Sequence, residues 1–79
     1  MFAEYLDAAM LHAVYAQIED GSYVGYIDEL PGSLARAPTL EECKAEMRLV
    51  AEGWILLAIA DHDELPAFDG HKLIVEAKA

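Results

Sequence analysis

The chain is poor in sulfur and in cations, and it has no apolar run long enough to cross a bilayer. Cys43 is the only cysteine among 79 residues, so no intrachain disulfide can form. A reducing, cytoplasmic setting is the simplest fit to that usage. Lys and Arg number 5 against 15 Asp and Glu, a formal charge of −10. A surface of that sign repels phosphate backbones and anionic headgroups, which argues against direct nucleic-acid and membrane-surface binding. The longest apolar stretch, Trp54 to Ala60, has seven residues, where a membrane span takes about 20. No basic segment leads into an apolar one at the start, where Glu4 and Asp7 stand, so no signal peptide is expected. There is no internal repeat, low-complexity stretch or linker, no glycine-rich phosphate loop and no nucleophile elbow.

What is abundant is apolar material. Hydrophobic residues make up 56% of a chain short enough to be a single domain over 1–79. A domain of this size buries only about 60% of the surface its unfolded form exposes. The surplus predicts a subunit or partner interface, and self-association as a dimer or tetramer. The acidic surface would suit a basic protein partner. The plainer reading is that the charge keeps an apolar-rich protein soluble.

Phe2, Tyr5, Leu6, Ala9 and Met10 recur on one helical face and predict a short helix over 2–11. Residues 12–19 suit a strand with Val14, Ala16 and Ile18 on one face. Asp20-Gly21 then predicts a tight type I′ hairpin turn, which needs positive φ at both centres. The returning strand spans 23–28, with Gly25 marking a bulge or a close backbone approach. Leu30-Pro31-Gly32 reads as a type II turn. It leads into a third strand over 33–37 with Leu34 and Arg36 on a shared face.

Thr39 and Glu42 form a capping box at the start of a long helix. Leu40, Cys43, Met47, Val50, Trp54 and Leu57 give that helix an apolar seam. Leu49, Ile55, Leu56 and Ile59 lie beyond the seam. The helix runs to about Ala60, roughly 33 Å at 1.5 Å per residue, and Pro66 forbids its continuation. Asp69-Gly70 and Leu73-Ile74-Val75, with Lys72 and Lys78 near its ends, predict a last turn and strand. The expected class is α+β, in the order α-β-β-β-α-β: an antiparallel three-stranded meander packed on one long helix.

From Asp20 onward the sequence resembles the HicB-like antitoxin domain family. The resemblance rests on Asp20-Gly21 with Tyr23, on Leu30-Pro31-Gly32, on Thr39-Leu40-Glu41-Glu42 and on Glu64-Leu65-Pro66, in that order and spacing. Glu4-Tyr5-Leu6 is similar to the first helix of compact members. The resemblance implies a partial RNase H-like core and an antitoxin that binds a HicA-type toxin, a small basic protein that cleaves mRNA. Many members carry a C-terminal DNA-binding segment; with the sequence running only to Ala79, none is expected here. The chain also departs from the pattern at Asp28, where members often have proline, and at Ala67-Phe68.

Chemistry is harder to find. Asp20, Asp28, Glu29 and Glu42 invite comparison with the metal-holding acids of RNase H-like nucleases. A hairpin, a solvated turn and a helix cap explain them better. His12, His62 and His71 are scattered, and Asp61-His62-Asp63 lacks the spacing of a metal site. Cys43 falls on the apolar seam as a small hydrophobe. The expectation is therefore no enzyme, no cofactor and no metal. The candidate partner surface is Tyr15, Tyr23, Tyr26, Asp28 and Glu29; alternation turns some of the tyrosines away from the helix, and cross-strand packing is their plainer reading. Gly53 and Trp54 are the candidate oligomer contact. The runner-up function is a stand-alone homo-oligomer, structural or ligand-sensing, without a toxin.

Overall fold

The computed structural model describes residues 2–68 of the chain. The expected turn at Asp69-Gly70, the strand at Leu73-Ile74-Val75, His71, Lys72 and Lys78 lie outside the described residues. Within them the order is α1 (Phe2–Leu11), β1 (Val14–Gln17), β2 (Tyr23–Tyr26), β3 (Ala35–Ala37) and α2 (Leu40–Ala60). The strands form one antiparallel sheet in the order β1-β2-β3, as the meander predicts.

α1 buries Tyr5, Leu6, Ala8 and Ala9. It packs on α2, which supplies the docking that a ten-residue helix needs. Arg48 and Asp7 link the two helices at 2.9 Å. The Tyr5 hydroxyl donates to the Pro66 carbonyl, and the Tyr5 ring meets Phe68 edge-on with centroids 5.4 Å apart. The first helix thus holds the segment that follows the second.

All three strands are shorter than the sequence pattern suggests. His12 and Ala13 donate backbone N–H groups to Ala9 and Met10, so they extend α1 and delay β1 to Val14. Ile18 belongs to the hairpin loop, where it donates to the Ser22 carbonyl and accepts from the Gly21 N–H. Only Gly21 takes a positive φ, +89°, in that loop. The hairpin is therefore not the two-residue type I′ turn. It is the longer kind, in which a turn is followed by a left-handed glycine. Asp20 fixes it by accepting from the Ser22 N–H at 2.9 Å and the Ser22 hydroxyl at 2.6 Å. At the other end of β2, the Ser33 N–H donates to the Leu30 carbonyl across Pro31 and a positive-φ Gly32. That is the expected type II geometry. The buried Ser33 hydroxyl bonds the backbone N–H and carbonyl of Ile27.

Thr39 caps α2 by accepting from the Glu42 N–H at 3.1 Å. α2 ends at Ala60, as the apolar pattern predicts, and the closure is made before Pro66 is reached. His62 turns left-handed at φ 58°, and the Asp63 N–H closes back onto the Ala58 carbonyl at 2.9 Å. This is the Schellman closure, with histidine where glycine usually stands. The core-facing stripe is also rotated from the expected seam. Cys43, Met47, Ala51, Ile55 and Ala58 are buried, whereas Leu40 and Leu57 are exposed. Val50 and Trp54 flank the stripe, partly buried against the core. Counting large side chains favours Leu57. The small Ala51 and Ala58 are buried instead.

Candidate partner-binding surface

The strand register divides the three candidate tyrosines between two faces. Tyr15 lies opposite Gly25, which lies opposite Ala35, and Tyr23 lies opposite Gln17 and Ala37. Gly25 and Ala35 are buried beneath α2. Tyr15 and Tyr23 share that inward face and pack against the core. A Cβ on Gly25 would stand 2.8 Å from the Tyr15 ring and 3.5 Å from the Cys43 Sγ. Gly25 thus marks a close approach within a regular ladder, and no bulge. Burial pushes the Tyr15 phenol above its ordinary value, and the Cys43 thiol acts in the same direction. Lys44 Nζ sits 5.9 Å from the centroid of the Tyr15 ring. Burial likewise raises the Tyr5 phenol. The Cys43 thiol is itself buried.

Tyr26 alternates to the other side of the sheet. Its cross-strand partner there is Val14, and Ala16, Val24 and Arg36 form the next row. Continuing the β2–β3 register by one residue sets Leu34 opposite Tyr26, consistent with the Ile27–Ser33 bonds beside it. Val14, Tyr26 and Leu34 therefore make an apolar row across the three strands, with 43%, 37% and 62% of their surfaces exposed. Sequence reasoning placed Val14 with Ala16, and Leu34 with Arg36, but did not name Val14 or Leu34 as surface candidates. The alternation was visible in the sequence; the register that aligns the three strands was not.

Asp28 and Glu29 follow Tyr26 in the turn, both exposed. A Glu29 carboxylate oxygen lies 2.8 Å from His12 Nδ1, joining the turn to the end of α1. On its other side Glu29 borders an open groove of about 650 Å³. Pro31, Trp54, Leu65, Pro66 and Ala67 form the apolar part of that groove, and Asp63 and Glu64 are the other carboxylates along it. The Trp54 indole N–H donates to the Pro31 carbonyl at 2.9 Å, which fixes the ring there.

Asp20 sits at the opposite end of β2 and pairs with Arg36. The Ser22 hydroxyl, then the Ser22 N–H and Arg36, hold its carboxyl below the ordinary value of 3.8. Asp20, Asp28, Glu29 and Glu42 thus occupy separate turns and a helix start. Among the described residues, no group of three or more His, Cys, Asp or Glu side chains could hold a metal ion. No helix among them is long and apolar enough to cross a membrane.

Gly53 and Trp54 point to different sides of α2. Trp54 faces the turn after β2. A Cβ on Gly53 would meet nothing within 4 Å. Gly53 stands on the outward face with Leu49, Leu56 and Leu57, whose exposures are 63%, 52% and 63%.

A family model described as UPF0150-like matches residues 4–66. The crystal structure of TTHA0281 from Thermus thermophilus is 30% identical to the chain, with a TM-score of 0.88 over 96% of this chain and 95% of that one. No curated protein matches the chain.

Proposed function

This chain belongs to the UPF0150-like family, and on that premise we propose that it is an antitoxin-like protein-binding module rather than an enzyme. Its partner in this reading is a small basic HicA-type toxin that cleaves RNA, which the module binds and blocks in the cytoplasm. The observation that carries the reading is the exposed row Val14–Tyr26–Leu34 beside the acidic turn Asp28-Glu29. An apolar centre with a charged rim is the composition of a protein interface. The −10 charge speeds encounter with a cationic partner, and the apolar row sets the lifetime of the complex. The ordered HicB-like motifs from Asp20 to Pro66 support the same reading. Co-expression tests it: the wild-type chain relieves growth arrest by the toxin encoded beside it, and Leu34→Asp with Tyr26→Ala does not. Equal rescue by the double variant moves the interface elsewhere, and no rescue by the wild type overturns the reading.

A second reading, a homo-oligomer that works without a toxin, draws on the outward face of α2. Leu49, Gly53, Leu56 and Leu57 offer an apolar strip on which a second copy could pack. The self-association proposed for this strip is compatible with either function.

A further inference from the structure

We propose that the groove between the Pro31 turn and the segment after α2 receives an arginine side chain from an extended segment of the partner protein. The proposal deepens the reading of a basic partner and rests on it for the identity of the protein, but not for the chemistry of the groove.

The groove has two kinds of surface. Its apolar side holds Trp54, the only tryptophan in the chain, beside Pro31 and Pro66. Glu29, Asp63 and Glu64 supply its charge, and among the described residues no Lys or Arg lines it. A neutral apolar ligand would make no use of the carboxylates of Asp63 and Glu64 beside it. An anion would be repelled by all of them. A cation with a flat, weakly hydrated face satisfies both sides, because guanidinium stacks on aromatic rings and offers forked donors to carboxylates. Lysine supplies the charge but not the plane.

The walls are fixed on several sides. Trp54 is tied to the Pro31 carbonyl, Glu29 is held by His12, and the Tyr5 hydroxyl holds the Pro66 carbonyl. The Asp63 N–H is fastened to the Ala58 carbonyl by the helix closure. The groove therefore need not be ordered by its ligand, which lowers the entropic cost of binding. Glu29 also borders the acidic turn beside Tyr26, so one partner chain could cover the apolar row and place an arginine in the groove.

Because Trp54 is the only tryptophan, intrinsic indole fluorescence reads the groove directly. The probes are the capped peptide Gly-Arg-Gly and its lysine and citrulline counterparts, added to the full chain in low salt. The expected result is a saturable Trp54 signal with affinity in the order arginine, lysine, citrulline. The double variant Asp63→Asn with Glu64→Gln should weaken arginine binding by about five-fold, the scale of two exposed charge contacts. Glu42→Gln, far along α2, should leave it unchanged. No saturable signal, equal affinity for citrulline, or indifference to the double variant overturns the proposal. Peptide binding without a toxin complex would sink the functional reading and leave the groove. A toxin complex unaffected by the double variant, with no peptide binding, would do the reverse.

Discussion

The ring of Tyr15 fills the space that a side chain on Gly25 would need, at 2.8 Å from the built Cβ position. This cross-strand pair sits where the sheet meets α2, with Cys43 Sγ just beyond it. Gly25→Ala forces the ring aside in a packed core, and overpacking of that kind costs about 1–3 kcal/mol. Urea unfolding should show this loss. Adding Tyr15→Leu should recover part of it, because the two positions share one space and their effects do not add.

His62 takes a left-handed conformation, φ 58°, to close α2. A non-glycine residue there carries strain of about 1 kcal/mol or more. His62→Gly should stabilise the chain by up to about 1 kcal/mol, and a β-branched His62→Val should destabilise it. Paired thermal melts decide the sign. A lower melting temperature for His62→Gly would mean that the histidine side chain makes a contact worth more than the strain.

The Asp20 carboxyl is held below its ordinary value by Ser22 first and Arg36 after it. A depressed carboxylate contributes stability that is present above the unfolded value, 3.8, and is lost as pH falls through the lower folded value. The hairpin should therefore loosen on the acid side of that window and not near neutrality. An NMR titration of Asp20 should give a midpoint below 3.8. Ser22→Ala should raise that midpoint more than Arg36→Ala does.

The outward strip of α2 predicts self-association. Light scattering should give a mass above the 8.7 kDa of one chain at micromolar concentration. Leu49→Glu with Leu56→Glu should return it to one chain without loss of helix, since both side chains are largely exposed. A monomeric wild type would remove the strip as an oligomer contact.

Much of the framework is readable from local chemistry. Thr39 caps the long helix because its hydroxyl reaches the Glu42 N–H, and Pro31-Gly32 turns because Gly32 accepts a positive φ. These depend on neighbours in sequence. The parts that were misread depend on partners far along the chain. The buried stripe of α2 is rotated toward Ala51 and Ala58, and helical periodicity alone does not report which of its small residues face the core. The end of α2 at Ala60 is where the apolar pattern puts it, but its closure by a left-handed His62 carries no proline or glycine signal. Strand alternation implies that some of the three tyrosines face away from the helix, but only the register shows which: Tyr15 and Tyr23 lie inward and Tyr26 outward. Asp28 and Glu29 do lie on exposed backbone beside Tyr26. The groove that Glu29 shares with Trp54, Asp63 and Glu64 arises only when α2 brings residues 63–67 back to the turn.

The most direct test of the account is a titration of this chain with the purified small basic RNA-cleaving protein encoded by the adjacent reading frame, using isothermal calorimetry at several salt concentrations. The account predicts a stoichiometric complex that weakens as salt rises and is lost with Leu34→Asp and Tyr26→Ala. No complex with such a protein, or no such protein beside this gene, would contradict it.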